Sequence, residues 1–414
     1  MRKRVLMVAF HFPPLVGTSG IERTLRFARY LPEFGWEPEV LTAHARAYDP
    51  VGDLRDVPSE LRVHRAQAFD TARHFAIAGR YPAFLARPDR WMSWRFAAIP
   101  AGIRILRRFR PHAIWSTYPI ATAHAIGAAL ARFSGLPWVA DFRDPMAQDD
   151  YPPDPVTWRH FARIEARAVR NAYRSVFVTE GAAAEYRERY PECRERIRVI
   201  ENGYDEQSFA GLAIPPAHAS NTGRIVIVHS GIVYPAERDP TALFAALRSL
   251  RDAGRLRPED VVIRFRAPVH DVLIRDLSER HGVTEFVEVA PRMPYREALA
   301  ELVAADGLLV LQGANCNRQV PAKLYEYLRA RKPVLGLADP SGDTAEVMRH
   351  SGIRHIAALE DAGDIAAALE CFVDEVRAGT APIPDAATVR QASRRERTAQ
   401  LAQLLDEART MPLL

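Results

Sequence analysis

The chain has 414 residues, of which 48% are hydrophobic and 26% are charged, and this ordinary globular composition argues against wholesale disorder. The length exceeds that of one ordinary core and predicts two domains of about 200 residues each. The formal charge of +5 fits an anionic ligand or a membrane surface, but no dense block of basic and aromatic residues indicates a nucleic-acid groove.

The cysteines and the N-terminus also limit the class of protein. Cys193, Cys316 and Cys371 lie far apart and show no paired spacing, so neither a disulfide framework nor a zinc site is predicted. The apolar run at residues 5–10 is too short for a secretory signal, and no other run is long enough to span a bilayer. We therefore expect a cytoplasmic protein.

The first half of the chain alternates between patterns typical of strands and of helices. The apolar run at residues 5–10 is followed by the loop HFPPLVGTSG, a helical pattern that ends near Gly35, and the strand WEPEVLTAH. The alternation continues through AIWSTYP, ATAHAIGAALARFSG and LPWVADFRDP to a long helix at about residues 158–172 and the strand SVFVTE. Such alternation predicts an open parallel sheet, and we assign this first Rossmann-like domain to residues 1–210.

The second half repeats the pattern after a break. Residues 211–222 contain proline, glycine and polar residues without periodicity and are predicted to be a linker. Strands and helices then alternate from RIVIVHSG to KPVLGLAD, which predicts a second Rossmann-like domain at residues 223–385. A helix within residues 386–414 closes the chain and could cross back to the first domain. The predicted fold class is α/β, with two open parallel sheets.

Three loops lie where ligands bind in such sheets, beyond the carboxyl ends of strands and before helix N-termini that favour phosphate. The first comprises Gly17, Thr18, Ser19 and Gly20; glycines allow close backbone approach to a ligand, but GTSG is also an ordinary turn. The second, residues 230–240, contains Gly231 and Arg238. A guanidinium there could clamp a diphosphate, although any single arginine in this arginine-rich chain is more often solvated.

The third loop leads into the helical pattern AKLYEYLRA. The chain has three lysines, Lys3, Lys323 and Lys332. Lys323 and Glu326 are three residues apart and therefore share one helix face, with Pro321 at the start and Leu324 facing inward. The lysine could neutralise a phosphate while the glutamate accepts hydrogen bonds from sugar hydroxyls. The spacing alone favours the alternative, a surface ion pair worth about 0.2–0.5 kcal/mol.

In the first domain, the stretch DFRDP at residues 141–145 also follows a strand. Arg143 and Asp144 could face an interdomain cleft and take part in chemistry. A cluster of two aspartates around an arginine is as often a structural ion-pair network, because the carboxylates satisfy the guanidinium locally. Both interpretations remain open on the sequence.

Residues 90–110 mix tryptophan and phenylalanine with arginines and allow two interpretations. The segment could lie on an anionic membrane surface as an amphipathic helix. Alternatively, it is a domain helix with its aromatic face in the core. We favour the core, because Pro100 interrupts the helical pattern.

Several stretches together resemble one family. They are FPPLVGTSGIERTLRFARYLPEFGWEPEVLT, PWVADFRDP, IRVIENGYDEQSF and VPAKLYEYLRARKPVLGL, which occur in this order over nearly the whole chain. The chain resembles bacterial retaining glycosyltransferases of family four, which have the GT-B fold of two Rossmann-like domains facing a central cleft. The pattern is similar to members from surface-polysaccharide biosynthesis.

The resemblance implies a transferase that moves a sugar from a nucleotide-diphosphate-sugar to a hydroxyl of a saccharide or lipid-linked acceptor. It implies that Glu326 holds the ribose, that Arg238 and Lys323 hold the diphosphate, and that residues 17–20 close over the phosphates. No metal or other cofactor and no nucleic acid is implied, because basic side chains and helix ends can carry the phosphate charge. A lipid-linked acceptor would allow peripheral contact with the inner face of the membrane.

The chain departs from the family pattern at four places, so the contacts to the donor sugar are left open. Arg318 replaces the first of two usual glutamates, and Ile232 stands where an arginine often follows Gly231. Arg143 replaces a frequent histidine, and the glycine loop has GT where two glycines are usual. A nucleotide-sugar epimerase of the same architecture and a non-catalytic nucleotide-binding scaffold subunit remain as alternative functions.

Overall fold

The computed structural model describes residues 3–16, 20–52, 57–149, 151–213 and 223–410. The chain forms two compact units: unit 1 comprises Met1–Asn202 with Arg394–Leu414, and unit 2 comprises Gly203–Ser393. Of the linker predicted at residues 211–222, residues 214–222 lie outside the described part of the chain.

Each unit is built on one parallel sheet, which confirms the predicted α/β class. Unit 1 has the strand order β3-β2-β1-β4-β5-β6-β7 and unit 2 the order β10-β9-β8-β11-β12-β13. The strands are β1 (Lys3–Val8), β2 (Trp36–Ala43), β3 (Arg62–Ala66), β4 (Ala113–Thr117), β5 (Trp138–Arg143), β6 (Arg174–Phe177), β7 (Ile197–Val199), β8 (Ile225–Ser230), β9 (Val261–Arg266), β10 (Val287–Ala290), β11 (Gly307–Gln312), β12 (Val334–Ala338) and β13 (Ile356–Ala357).

The strand order creates one topological switch point in each sheet. In unit 1 the chain runs outward from β1 to β3 and then returns to β4, on the other side of β1. In unit 2 it runs from β8 to β10 and returns to β11, on the other side of β8. The crevice outside the carboxyl ends of the strands at such a point is where open α/β sheets bind ligands.

Helices cover both faces of each sheet. They are α1 (Gly20–Tyr30), α2 (Thr71–His74), α3 (Trp94–Phe109), α4 (Ala121–Ser134), α5 (Pro155–Asn171), α6 (Glu180–Arg189), α7 (Glu206–Phe209), α8 (Thr241–Asp252), α9 (Asp271–His281), α10 (Tyr295–Ala304), α11 (Ala322–Ala330), α12 (Asp343–His350), α13 (Ala362–Ala378), α14 (Ala386–Gln391) and α15 (Arg394–Thr410). No helix of the described residues is long and apolar enough to cross a membrane.

The buried side chains show which helices cover which face. In unit 1, α3, α4, α5 and α6 pack on one face, while α1 and α15 pack on the other. In unit 2, α8, α9 and α13 pack on one face, while α10, α11, α12 and α14 pack on the other. Because both faces are covered, the central strands are buried and read as nearly continuous apolar runs.

Residues 386–414, expected as one closing helix, contain two helices that belong to different units. Helix α14 contributes Val389 to the core of unit 2. Helix α15 contributes Leu401 and Leu405 to the core of unit 1. Asp406 of α15 accepts hydrogen bonds from Lys3 Nζ (2.5 Å) and Trp36 Nε1 (3.2 Å), which fixes the last helix to the first two strands.

Two helices of unit 1 differ in detail from expectation. Helix α5 begins at Pro155, before the expected residue 158, because Asp154 caps its N-terminus by accepting a hydrogen bond from the Thr157 amide (2.9 Å). Helix α3 continues through Pro100, which lies on its exposed side. The buried side of α3 carries Trp94 and Phe109, in agreement with the core interpretation of residues 90–110.

Candidate functional site

Two loops meet at the switch point of unit 2. One follows β8 and the other follows β11, and hydrogen bonds join them. The Gly313 amide donates to the Glu237 carbonyl (2.6 Å), and Asn315 Nδ2 donates to the Ala236 carbonyl (2.8 Å). These bonds hold the loop that carries Arg238 against the loop that leads into α11, so groups on both loops are positioned in advance of any ligand.

Lys323 lies in the first turn of α11 and faces the end of β8. Its Nζ is 3.0 Å from Nε2 of His229, a buried residue of β8. Gly231 follows the strand with a φ of 110°, a conformation that favours glycine. A Cβ atom at Gly231 would lie 3.2 Å from Lys323 Nζ, so a larger residue would also crowd the ammonium. The backbone at Gly231 therefore leaves room for the lysine.

Lys323 and Arg238 place two positive charges near each other, and Glu326 supplies the opposing charge. Burial, and after it the charge of Arg238, lowers the pKa of Lys323 to about 7, while Glu326 raises it partway back. Arg238 donates from Nη1 to the Ile232 carbonyl (2.9 Å), and its buried Nε has no hydrogen-bond partner among the described residues. An anion between the two side chains would favour both positive charges, so the cluster is suited to a phosphate or diphosphate.

The remaining predicted residues of unit 2 occupy distinct positions. Glu326 is partly exposed, and its Oε1 accepts a hydrogen bond from Tyr295 Oη (2.7 Å). Pro321 directly precedes α11, and Leu324 is fully buried in the core beneath it. Arg318 is exposed in the loop before the helix. The structure thus gathers Gly231, Arg238, Lys323 and Glu326, while Pro321 and Leu324 set the position of α11.

A second cluster forms in unit 1 around Arg143. This residue ends β5, is buried, and has a φ of 61°, which is uncommon for a residue other than glycine. A Cβ atom at Gly20, the first residue of α1, would lie 2.5 Å from Arg143 Nη1 and 2.7 Å from His11 Nδ1. Glycine at position 20 therefore permits both side chains to approach the helix. Gly17, Thr18 and Ser19 lie outside the described residues.

Burial also lowers the pKa values of the two basic side chains in this second cluster. Burial lowers the pKa of Arg143, with the neighbouring Arg23 acting in the same direction and Asp144 opposing it. Burial, and then the charge of Arg143, lowers the pKa of His11 to about 4. His11 is therefore neutral at pH 7 beside a buried guanidinium. A buried guanidinium beside a neutral imidazole can bind an anion, as functional sites often require.

The two aspartates of DFRDP have different surroundings. Asp141 is fully buried and pairs with Arg23 of α1, through bonds of 2.8 Å from Nε and 3.0 Å from Nη2. Arg23 also donates to the carbonyls of Ile200 (2.9 Å) and Glu201 (3.0 Å), after β7. The structural ion-pair interpretation therefore holds for Asp141, but its partner is Arg23 and not Arg143.

Neither His11 nor His229 was predicted from the sequence as a site residue. His11 could have been predicted, because it is the first polar residue after β1 at the carboxyl edge of the sheet. His229 had a weaker one: it is a polar residue within an otherwise apolar strand, IVIVHS. Among the described residues, no three His, Cys, Asp or Glu side chains gather in a way that could hold a metal ion.

Part of the chain is similar to a known protein family. Residues 19–203 match the family model of the glycosyl transferase 4-like domain. None of the curated proteins searched matches the sequence.

Solved structures match nearly the whole length of the chain at low sequence identity. A sucrose-phosphate synthase from Thermosynechococcus elongatus superposes with a TM-score of 0.62 at 13% identity, covering 98% of this chain and 99% of that chain. WaaG, a glycosyltransferase involved in lipopolysaccharide biosynthesis, gives 0.61 at 15% identity, with 97% and 99% covered. HepE from Anabaena, in complex with UDP-glucose, gives 0.60 at 12% identity, with 98% and 99% covered. The chain therefore has the GT-B fold, and its residues 19–203 are similar to the glycosyl transferase 4-like domain.

Proposed function

We propose that this protein is a retaining glycosyltransferase that moves a sugar from a nucleotide-diphosphate-sugar to a hydroxyl of a saccharide or lipid-linked acceptor. The observation that carries the proposal is the pair of cations, Lys323 and Arg238, beside Gly231 at the switch point of unit 2. The complex of HepE with UDP-glucose supports a nucleotide sugar as donor. The role of WaaG supports a place in polysaccharide or glycoconjugate biosynthesis.

In this proposal, unit 2 binds the donor and unit 1 the acceptor. Lys323 and Arg238 hold the diphosphate, and Glu326 accepts hydrogen bonds from the ribose hydroxyls. As the bond from the anomeric carbon to the diphosphate oxygen breaks, the two cations stabilise the charge that develops on the leaving group. The acceptor oxygen bonds to the same face of the sugar, and its proton passes to the departing diphosphate.

Arg143 is the residue of unit 1 that we propose for this reaction. It is buried beside His11 and Gly20 at the carboxyl end of β5. Its positive charge would favour an electron-rich oxygen near the reacting sugar. The proposal needs no metal, because the side chains supply the positive charge that a divalent cation would otherwise bring.

The function can be tested by thermal unfolding with UDP, GDP, ADP, CDP and TDP, with EDTA present throughout. A ligand that binds only the folded protein adds about 2.7 kcal/mol of stability at 100 times its Kd. We expect one nucleotide to stabilise the protein, and transfer assays would then use its sugars. Release of an isomerised sugar without an acceptor would indicate an epimerase, and no stabilisation by any nucleotide would favour a scaffold subunit.

We predict that donor affinity falls as pH rises above about 7. Lys323 in the free protein loses its proton near that pH. A bound diphosphate raises the pKa, so the complex holds more protons than the free protein in this range. The Kd of the sugar nucleotide should therefore rise by up to about tenfold per pH unit between pH 7 and 8.5. Isothermal titration calorimetry in buffers of different ionisation enthalpy would also detect the proton taken up.

The matched control for this prediction is Lys323→Arg, because a guanidinium stays charged throughout the range. Binding by the arginine variant should be weaker but nearly independent of pH. A sugar nucleotide is the appropriate ligand, since both ends of its diphosphate are esterified and no terminal phosphate titrates near pH 6. Equal pH slopes in wild type and variant would contradict the assignment of Lys323 to the diphosphate.

We also propose that unit 1 docks on an anionic membrane to reach a lipid-linked acceptor. Residues 71–140 contain ten arginines and one acidic residue, Asp89. Four of these arginines pair with carboxylates elsewhere in unit 1, namely Arg73, Arg87, Arg90 and Arg108. Exposed apolar side chains lie in this region: Ile77 is 83% exposed and Phe84 is 67% exposed, both upstream of residues 90–110, and Phe96 within that segment is 64% exposed. Arg80 and Arg95 have no carboxylate partner among the described residues. Basic and apolar groups together favour an anionic bilayer.

Vesicle sedimentation tests this docking. We expect binding to vesicles with anionic lipid, little binding to neutral phosphatidylcholine vesicles, and loss of binding at high salt. The double substitution Ile77→Ser and Phe84→Ser should weaken binding at least about tenfold, because each side chain would bury apolar surface in the bilayer. The control is Val272→Ser in unit 2, where the valine is 70% exposed. Equal loss in the control, or salt-independent binding, would contradict the proposal.

A further inference from the structure

His229 is a fully buried histidine that none of the proposed steps uses. It lies in β8, one residue before the strand ends, and its ring packs 5.9 Å from that of Phe265 in β9. Both ring nitrogens have partners. Nδ1 is 3.0 Å from the Leu309 carbonyl of β11, and Nε2 is 3.0 Å from Lys323 Nζ.

The partners determine which nitrogen carries the proton. A carbonyl oxygen can only accept a hydrogen bond, so Nδ1 must carry the hydrogen and donate it to Leu309. The buried ring is neutral, because burial and the charge of Lys323 hold the pKa of His229 well below its usual value. Nε2 therefore has a free lone pair, and its bond to Lys323 must be one in which the lysine donates.

We infer that His229 is a positioning residue, which uses its fixed tautomer to hold the Lys323 ammonium beside Gly231 for the anionic ligand. Lysine has a long side chain with several rotatable bonds, so a free ammonium would sample many positions. The bond to Nε2 uses one of its three N–H groups and leaves two to donate to a ligand. His229 of β8 thus orients the ammonium of Lys323, which belongs to α11. The inference rests on the proposed donor site, but its first test needs no ligand.

The titratable and charged groups around Lys323 come from three elements. His229 faces it from β8, Arg238 from the loop after β8, and Glu326 from its own helix. Within the part of the chain that the structure describes, the hydrogen bond of Nζ is to the neutral ring of His229. Replacing the ring by an apolar side chain would remove that acceptor and leave Arg238 in place, so the protonated form of Lys323 would lose stabilisation.

The rarity of lysine makes the test direct. Protein labelled with ¹³C at lysine Cε should give three signals, from Lys3, Lys323 and Lys332, which single Lys→Arg variants assign. We expect the midpoint of the Lys323 titration in His229→Leu to lie about one pH unit below that of the wild type, because a hydrogen bond to a charged group is lost. In His229→Gln, an amide oxygen can reach Lys323, and the midpoint should move back toward the wild-type value.

Nucleotide binding supplies the second readout. With the nucleotide that stabilises the wild type, His229→Leu should bind about tenfold more weakly and His229→Gln should recover most of the loss. An unchanged Lys323 midpoint in the folded leucine variant, or glutamine behaving like leucine, would overturn the inference. If the leucine variant does not fold, His229→Asn replaces it, since asparagine can bond to Leu309 but is too short to reach Lys323. If no nucleotide binds the wild type, the proposed function fails, while the titration still decides the role of His229.

Discussion

Asp141→Asn is expected to destabilise unit 1 by about 3–5 kcal/mol, the cost of leaving a buried charge without its partner. The side chains of Asp141 and Arg23 are almost completely excluded from solvent and form a two-bond pair. The amide would keep the shape of the carboxylate but remove its charge, so the Arg23 guanidinium would remain buried and unpaired. Arg23 of α1 also donates to the backbone after β7. The substitution would therefore weaken the contacts that Arg23 makes between α1 and the sheet.

Tryptophan fluorescence during guanidinium unfolding provides the measurement. All six tryptophans of the chain lie in unit 1, so the signal reports that unit alone. The matched control is Asp144→Asn in the same DFRDP stretch, where the aspartate is partly exposed and a change below about 1 kcal/mol is expected. Equal midpoints for wild type and Asp141→Asn would show that the buried pair does not hold the unit together.

The order of strands and helices could be predicted from the sequence because parallel strands buried on both faces leave a clear pattern. Apolar runs such as those of β1 and β11 alternate with helical periodicity, and this alternation specifies open α/β sheets. The ends of the helices were harder to predict from the sequence. The N-terminal cap at Asp154 extends α5, and the exposed position of Pro100 lets α3 continue. Hydrophobic periodicity does not show either effect.

The candidate site was predictable only in part, because its contacts join residues distant in sequence. The face shared by Lys323 and Glu326 follows from their spacing, and the loop of Arg238 follows from its place after a strand. The contact of Lys323 with His229 links positions 94 residues apart, and that of Arg23 with Asp141 links positions 118 apart. Neither spacing nor composition encodes such pairings; the order of strands in the sheet creates them.

Lys323→Met is expected to abolish the stabilisation by nucleotide and to lower turnover by about 10²–10³-fold, the usual cost of removing one donor to a developing anion. Methionine has a similar length and no charge, so it should fill the space beside Gly231 without crowding it. Arg238 alone would then face the diphosphate. Because the lysine acts both on the bound donor and on the departing diphosphate, binding and turnover should fall together.

The matched control is Lys332→Met, since Lys332 is a second largely buried lysine just beyond the same helix. Asp306 is the charged residue that acts on Lys332, and Lys332 takes no part in the cluster with Arg238. Replacing Lys332 by methionine should reduce the stability of the protein but leave the stabilisation by nucleotide intact. That stabilisation depends on the contacts of the ligand and not on overall stability. If both variants lost the shift equally, Lys323 would be a structural lysine like its neighbour, and Arg238 with the backbone of the β8 loop would have to carry the diphosphate. If only Lys323→Met loses it, the positive charge at the start of α11 is the group that binds the donor.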